Sequence, residues 1–342
     1  MNSSTFLEGF HDLESVESMT YSRLGKTEMI VSEFGYGAAA LGNVYNDNIS
    51  NESKDAFLHG LKSGINYIDT APWYGQGLSE ERLGEYLKDV PRSTFYMATK
   101  VGRYELDPLR MFDFSGEKTK ASVEKSLKLL GLNYIDLIQI HDIEFAKSFD
   151  VLINETIPVL QELKASGKVK HIGITSYNLS VLKKLIRLLP PNTLDTVLSY
   201  AKFNIMNMEL LDELRFFESV GIGVINAAPT GMGLLTEHGI PDWHPGHPNL
   251  KNECKKAALF CKSKGVDIAH LAISWAFSRQ EVPTTLISSP TMSIMKMNLS
   301  LCLWKELSTK DTNLIKELQA IFFDNIPIVN WDLVEVSRFS RQ

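Results

Sequence analysis

The chain has 342 residues, 44% of them hydrophobic, and its formal net charge at pH 7 is −6. This length permits two domains or one large α/β barrel. An acidic chain with scattered basic residues predicts a small-molecule partner, and it argues against binding to nucleic acid or to an anionic membrane. Three cysteines without CxxC spacing argue against a disulfide framework and predict a reducing, cytoplasmic compartment. No apolar run reaches the length of a transmembrane helix.

The chain begins with a polar segment. Residues 1–20 contain several acidic side chains and no long apolar run, which predicts a flexible tail and not a signal peptide. In residues 23–42, two short apolar runs lie on either side of GKTE. Such a pattern predicts a β-hairpin that leads into a first buried strand.

From there, strand and helix patterns alternate along the chain. Gly64 and Gly131 are predicted to end two helices, and Ser79 is predicted to cap the start of another. Pro190 is predicted to stop the helix over residues 179–189, and residues 249–279 have the pattern of a further helical stretch. The short apolar segments predict strands near residues 34–39, 65–69, 93–101, 133–142, 168–175, 194–203, 222–228 and 284–289.

These segments form about eight strand-helix pairs. Each strand is apolar enough to be buried on both faces, which is typical of a parallel sheet closed into a (β/α)8 TIM barrel of the α/β class. No linker divides the chain, so residues 21–305 are predicted to form one barrel. Residues 306–342 are predicted to form a helix and a tail that pack on it.

Four polar side chains follow neighbouring strands of this barrel. Asp69 ends the second strand with Tyr74 in the loop beyond, Lys100 ends the third, and His141 ends the fourth. Each alone is an ordinary strand-end residue, but the ends of barrel strands converge on one face. An ammonium near a phenol lowers the phenol's pKa, a carboxylate would hold that ammonium, and an imidazole could orient an oxygen. Together they predict an acid/base site for a carbonyl.

Three motifs at these positions resemble those of the aldo-keto reductases. DTAPWYG begins at Asp69, ATK ends at Lys100, and LIQIHD contains His141. The resemblance extends from residue 21 to about residue 303. It implies a barrel enzyme that moves a hydride between a nicotinamide and a carbonyl carbon, with Tyr74 as acid/base, Lys100 and Asp69 as its tuning pair, and His141 as the orienting group.

The resemblance also implies a set of cofactor contacts. These residues would hold the nicotinamide carboxamide, cover the pyrophosphate and bind the adenine end. The predicted contacts are Thr175, Ser176, Tyr200, Pro229, Gly231, Gly233, Leu234, Ser288, Thr291 and Asn298. NADP-selective relatives carry cations after the last strand to bind the 2′-phosphate, whereas residues 289–295 have none. NAD is therefore favoured over NADP, with Lys296 the one residue that could reverse this preference.

Residues 226–248 resemble the loop of family members that act on L-galactose. This implies oxidation of an L-galactose-like aldose at its anomeric carbon to the lactone, with Trp73 and Tyr45 as possible sugar contacts. Two alternatives stay open. One is an NADPH-dependent reductase of aldehydes or ketones, and the other is a regulatory subunit that binds cofactor with little turnover. The oligomeric state is left open.

Three histidines crowd into one short segment and raise the question of a metal. His238, His244 and His247 lie in a proline-containing stretch that is predicted to be an irregular loop, without the spacing of a zinc site. We therefore predict that no metal is bound. The loop is expected to cover the cofactor, with Trp243 packed inward.

Overall fold

The architecture comes from a computed structural model of the chain. It describes residues 3–44, 52–303, 307–332 and 334–339. An antiparallel hairpin, β1 (Tyr21–Arg23) and β2 (Ile30–Ser32), precedes a closed parallel barrel of eight strands, which confirms the predicted (β/α)8 fold. The barrel strands are β3 (Phe34–Gly37), β4 (Tyr67–Asp69), β5 (Tyr96–Val101), β6 (Ile135–Ile140), β7 (Val169–Ser176), β8 (Thr196–Tyr200), β9 (Gly223–Ala227) and β10 (Thr284–Ile287).

Helices surround the barrel. A π-helical stretch, Leu152–Thr156, joins α5 to α6. The α-helices are α1 (Leu13–Ser18), α2 (Ser53–Lys62), α3 (Leu78–Tyr86), α4 (Gly116–Leu130), α5 (Phe149–Val151), α6 (Ile157–Ala165), α7 (Leu179–Leu188), α8 (Glu209–Ser219), α9 (Pro248–Ser263), α10 (Ile268–Ser278), α11 (Met292–Leu303), α12 (Thr309–Leu318) and α13 (Val334–Phe339). None of the described helices is long and apolar enough to cross a membrane.

The strands are buried on both faces, as their apolar composition predicts. In β6, Leu137 belongs to a cluster inside the barrel, whereas Ile138 and Ile140 belong to the large core between strands and helices. Successive side chains of a strand point to opposite faces, so one apolar run supplies both cores. The parallel register places Lys100 of β5 beside Gln139 of β6, which sets the floor of the site described below.

Residues 3–20 lie against the barrel. Within α1, Val16 is buried, and Met19 is buried just beyond its end. Ser4 Oγ lies 2.8 Å from Tyr96 Oη, and the side-chain amide of Asn66 donates a 3.0 Å hydrogen bond to Thr5 Oγ1. These contacts differ from the flexible tail expected from composition. The partners lie far along the chain, so the local pattern does not reveal them.

The C-terminal residues also contact the barrel. Leu314 and Leu318 of α12 are buried in the outer core. Gln319 donates a hydrogen bond of 3.2 Å to the carbonyl oxygen of Ile205, and Lys202 Nζ, whose side chain is 2% exposed, lies 2.8 Å from Asp332 Oδ1. These contacts tie the end of the described chain to the loop that follows β8.

Two helix predictions need correction. Ser79 is not an N-cap, because α3 begins at Leu78 after Gly77, and the Ser79 hydroxyl instead donates a 2.9 Å hydrogen bond to the carbonyl oxygen of Ala38. The stretch predicted over residues 249–279 is two helices, α9 and α10, separated where Asp267 caps α10. In contrast, Gly131 ends α4 with a left-handed φ of 65°, as predicted.

Candidate active site

The four strand-end residues meet at the carboxyl end of the barrel. Asp69 and Lys100 are each 1% exposed, and the Lys100 ammonium is ion-paired with Asp69 Oδ1. The ammonium also donates hydrogen bonds to the carbonyl oxygen of Thr70 at 2.8 Å and to Tyr74 Oη at 3.4 Å. The lysine thus joins the carboxylate to the phenol.

A tight turn presents Tyr74 to the lysine. The backbone N–H of Tyr74 donates to the carbonyl oxygen of Ala71 at 3.0 Å, and Gly75 and Gly77 have φ values of 66° and 103°. Gly42 packs so closely against this turn that a Cβ atom on it would lie 2.3 Å from the Tyr74 carbonyl carbon. Only glycine fits there, a constraint that the sequence around residue 42 does not reveal.

Gln139 is a second residue that sequence analysis missed. Its side-chain amide donates a 2.7 Å hydrogen bond to Asp69 Oδ2, the oxygen that does not face Lys100. Gln139 is fully buried, so this bond satisfies a carboxylate oxygen that water does not reach. The only signal in the sequence is one amide within the apolar run of β6.

His141 stands beside Tyr74, with ring centroids 6.1 Å apart and planes perpendicular. Burial, reinforced by the cations Lys100 and Arg103, lowers the pKa of His141 to about 3 although Asp142 opposes it. The imidazole is therefore neutral at physiological pH. Its Nδ1 atom is buried without a hydrogen-bond partner among the described residues, and its Nε2 atom lies 3.7 Å from Asp142 Oδ2.

Trp73 is held from behind by an ion pair. Arg103 Nη1 lies 2.7 Å from Asp142 Oδ2, and the guanidinium carbon lies 3.9 Å from the centroid of the Trp73 ring. A cation over an indole face is attracted by the ring's π electrons. The indole therefore has a defined position next to Tyr74. Tyr45, the other predicted sugar contact, lies outside the described residues.

A cavity of about 480 Å³ opens beside Asp69 and Tyr74. Half of the predicted cofactor residues line it, namely Tyr200, Pro229, Gly233, Ser288 and Asn298. Gly231 and Leu234 are buried in the same loop as Gly233. The cavity walls also include residues that were not predicted from the sequence, among them Gly37, Glu237, Asp267 and His270.

Besides Gly231 and Leu234, three further predicted cofactor residues do not line this cavity. Thr175 Oγ1 accepts a hydrogen bond of 2.9 Å from the backbone N–H of Asp142. Ser176 Oγ donates to the carbonyl oxygen of Asn178 at 3.2 Å, and Thr291 Oγ1 accepts from the backbone N–H of Ile294 at 3.3 Å. Each of these hydroxyls has a protein partner in the structure.

The loop after β9 has an unusual backbone. Ala228, Gly231, Met232 and Gly233 all have φ between 58° and 95°. Gly231 and Gly233 adopt this left-handed region without strain, and Gly233 presents backbone without a side chain to the cavity, which lets a ligand approach the N–H groups of the loop closely.

The charges around the cavity are acidic. Asp69, Glu237 and Asp267 line it, and no described lysine or arginine does. Lys296 lies instead near His59 of α2, where its charge adds to burial in lowering the pKa of that histidine. The cation that could have marked an NADP site is thus absent from the described lining of this cavity.

The histidine-rich loop differs in one respect from its prediction. Trp243 is 49% exposed and does not pack inward, whereas the neighbouring His244 is 2% exposed. His244 Nε2 lies 3.1 Å from the carbonyl oxygen of Gly231, and its ring packs on Trp331 at 4.7 Å. The smaller imidazole reaches these partners and takes the interior position. Within the described ranges, no group of three His, Cys, Asp or Glu side chains is arranged to hold a metal.

Comparison with known sequences gives consistent matches. The aldo/keto reductase family model matches residues 33–320. The chain is 40% identical over 300 residues to L-galactose dehydrogenase of Arabidopsis thaliana, covering 87% of this chain and 92% of that protein. It is 30% identical over 310 residues to D-arabinose 1-dehydrogenase of Saccharomyces cerevisiae, covering 86% of this chain and 91% of that protein.

Solved structures show the same barrel. An aldo-keto reductase from Bacillus halodurans in its holo form superposes with a TM-score of 0.70 at 26% identity, covering 88% of this chain and 96% of that one. A glycerol dehydrogenase from Gluconobacter oxydans gives 0.69 at 23% identity, covering 90% and 97%, and this likeness concerns the fold alone. The fold, the four residues at its mouth and these matches lead to one conclusion: the chain is an oxidoreductase that belongs to the aldo/keto reductase family.

Proposed function

We propose that this protein is an NAD-dependent aldose 1-dehydrogenase that oxidises an L-galactose-like sugar at its anomeric carbon to the lactone. The observation that carries the proposal is the Lys100 ammonium, which lies 3.4 Å from Tyr74 Oη while paired with Asp69. Support for the sugar comes from relatives named as L-galactose and D-arabinose dehydrogenases, at 40% and 30% identity.

Tyr74 is the base in this direction. A phenol ordinarily has a pKa near 10, but an adjacent ammonium favours the phenolate and lowers that pKa. Lys100 supplies the ammonium, and its ion pair with Asp69 holds it beside the phenol inside a site where both groups are buried. The phenolate oxygen then takes the proton of the anomeric hydroxyl, which leaves the oxygen ready to become the lactone carbonyl.

His141 and Trp73 position the sugar. Because its lowered pKa keeps the His141 imidazole neutral, the ring can donate one hydrogen bond to the reacting oxygen without competing for its proton. Trp73, fixed by Arg103 at 3.9 Å, offers an apolar ring beside Tyr74 for the C–H face of the sugar. These two side chains would orient the anomeric carbon.

The cavity next to Tyr74 suits a nicotinamide dinucleotide, which supplies the hydride acceptor when bound. Tyr200, Pro229, Gly233, Ser288 and Asn298 would hold it, with the left-handed turns after β9 at the pyrophosphate. We infer NAD over NADP because carboxylates and no described cation line the cavity. A 2′-phosphate would meet Asp267 or Glu237 without the bidentate arginine that usually binds it.

A spectrophotometric assay tests the proposal. Purified protein is mixed with L-galactose and either NAD or NADP, and the absorbance of the reduced nicotinamide is followed. We expect a rise with NAD and a much slower one with NADP. The absence of any rise, with consumption of NADPH by simple aldehydes, would replace the sugar with a carbonyl substrate. Cofactor binding without turnover of any of these compounds would favour a regulatory subunit.

We also infer that the reaction takes place in the cytoplasm. Cys254, Cys261 and Cys302 are all buried and unbridged. Burial raises the pKa of Cys254 to about 12, so this thiol stays protonated and unreactive. Buried free thiols of this kind suit a reducing compartment.

A further inference from the structure

The cavity beside Tyr74 is bordered by a turn whose backbone conformation is unfavourable by itself. Gly231, Met232 and Gly233 follow one another with φ values of 60°, 59° and 95°, and Met232 and Gly233 line the cavity. The two glycines accept this left-handed region readily, but the side chain of Met232 disfavours it. A residue in such a conformation persists only where its surroundings hold it. Contacts from outside the turn must therefore keep its shape.

His244 provides one of these contacts. The backbone N–H of Gly246 donates a 2.9 Å hydrogen bond to His244 Nδ1, so Nδ1 is an acceptor and the proton of the neutral ring is on Nε2. Nε2 lies 3.1 Å from the carbonyl oxygen of Gly231 and therefore donates to it. The same oxygen accepts a 3.3 Å hydrogen bond from the N–H of Leu234, which closes the turn. His244 thus binds the first residue of the left-handed turn.

The His244 ring is neutral and shielded from water. The residue is 2% exposed, and burial lowers its pKa to about 4, with Lys251 adding to this effect and the Gly231 carbonyl opposing it. Trp331, which is 4% exposed, packs on the ring with centroids 4.7 Å apart. The two hydrogen bonds of the imidazole are therefore buried, where the loss of a partner is costly.

The C-terminal segment that carries Trp331 is anchored beside the same cavity. Asp332 Oδ1 lies 2.8 Å from Nζ of Lys202, which also lies 3.1 Å from Glu209 Oε2. Lys202 follows the end of β8 at Tyr200, and Tyr200 lines the cavity. The indole therefore has a fixed position, and it keeps the imidazole against the turn.

The backbone that precedes His244 also packs on the turn. A Cβ atom on Gly233 would lie 3.2 Å from Pro241 Cδ, and the N–H of His244 donates a 3.0 Å hydrogen bond to the carbonyl oxygen of Pro241. We propose that His244 is a positioning residue for the cofactor, which holds the left-handed turn over residues 231–233 in the shape that binds the dinucleotide. This inference rests on the proposed function, because it takes the cavity to be the cofactor site.

Two substitutions of His244 separate its two hydrogen bonds. In His244→Gln, the side-chain amide can place an N–H donor where Nε2 stands, whereas in His244→Asn it reaches only the position of Nδ1 and loses the bond to Gly231. Fluorescence titration of the full chain with NADH measures the affinity. We expect binding about tenfold weaker in His244→Asn, because one hydrogen bond to a buried acceptor contributes about that factor, and most of the affinity restored in His244→Gln. Wild-type affinity in His244→Asn, or equal losses in the two variants, would overturn the inference.

His247→Asn is the matched control. His247 is exposed, lies outside the cavity lining and caps α9 through a 3.2 Å hydrogen bond, a role that asparagine also performs well. This variant should bind NADH as wild type does, and a loss equal to that of His244→Asn would contradict a specific role for His244. In steady-state assays, His244→Asn should raise the KM for NAD and leave kcat unchanged, because its hydrogen bonds go to the loop and not to the reacting groups. A lower kcat with an unchanged KM for NAD would also contradict the inference.

Hydrogen exchange of the wild-type protein gives a test that needs no variant to fold. Gly246 lies outside the cavity lining, and its N–H exchanges only when its bond to His244 opens. Because binding and positioning stabilise the same turn, NADH should slow this exchange several-fold. Unchanged exchange with NADH bound would overturn the inference. Failure of the wild-type protein to bind NADH at all would instead contradict the proposed function, and this inference with it.

Discussion

Two histidines at opposite ends of the barrel have opposite pKa shifts. His141 follows β6 at the mouth, is 6% exposed, and has its pKa lowered to about 3. His171 lies near the start of β7 at the base, is 8% exposed, and has its pKa raised. Burial lowers the pKa of both rings. At the base, Asp195 and Glu28 outweigh burial. At the mouth, Asp142 opposes burial without offsetting it, and Lys100 and Arg103 add to it.

The surroundings of the two rings explain the contrast. At the base, charged groups bond to each other and to backbone, as where Lys164 meets Asp195 at 2.8 Å and Asp195 accepts from the N–H of Ile172 at 2.9 Å. At the mouth, the ion pair of Asp69 and Lys100 borders a cavity and a tyrosine. The charges at the base contribute to stability, whereas those at the mouth adjoin a neutral imidazole and a phenol that lines the cavity.

The largest expected effect comes from removing the phenol hydroxyl at the mouth. Tyr74→Phe should lower turnover about 10²–10⁴-fold, because a positioned acid/base group contributes that much. Steady-state rates with L-galactose and NAD measure the loss, while fluorescence titration with NADH should show an unchanged affinity. A loss of turnover within tenfold would contradict the assignment of Tyr74 as the proton acceptor.

Removing a charged side chain at the base of the barrel should lower the stability of the fold and leave turnover unchanged. Asp136 is ion-paired with Arg92 and accepts a 2.7 Å hydrogen bond from the backbone N–H of Met97. Asp136→Ala breaks both and should lower the free energy of unfolding by about 3 kcal/mol. Urea unfolding measures it. A fall in turnover per folded molecule would show that charges at the base of the barrel also affect the reaction at its mouth.

The mouth histidine should make the fold sensitive to acid. Its folded pKa of about 3 lies below the unfolded value near 6.5, so the unfolded chain binds the proton more readily. Stability should fall as pH decreases below 6.5, by about 1.4 kcal/mol per pH unit for this group until the folded pKa is reached. Relative to wild type, His141→Gln should lack this slope in urea titrations at several pH values. Parallel slopes for the two proteins would refute the lowered pKa.

His171, at the base of the barrel, should change the stability with pH in the direction opposite to His141 and by a smaller amount. Because its folded pKa is raised, its contribution is fully present below the unfolded value near 6.5 and is lost as pH rises through the folded pKa. The effect is small, since the side chain of its partner Glu28 is 74% exposed and screened by water. The stability advantage of wild type over His171→Gln should therefore shrink from acidic to mildly alkaline pH. A stability advantage of wild type that grows over this pH range would contradict the raised pKa of His171.

Most of the barrel could be read from the sequence, because strands and helices have local signatures. The apolar runs ending at Asp69, Lys100 and His141 predicted three neighbouring strands, and the closed sheet confirms them. The motifs around these residues also predicted the family, which the family model confirms. Errors arose where a local signal had a stronger distant competitor, as for Ser79, whose hydroxyl donates to Ala38 instead of capping α3.

The sequence by itself determined the strand order and the residue types available at the mouth. Only the tertiary structure showed that Gly42 must lack a side chain to admit the Tyr74 turn, that Gln139 holds the free oxygen of Asp69, and that Trp243 is exposed. Likewise, the cavity lining that contains Gly233 and Asp267 is assembled from separate helices and loops. The physical reason is that periodicity and capping act between near neighbours in the chain, whereas close packing, charge pairing and cavities depend on residues that meet only after the barrel closes.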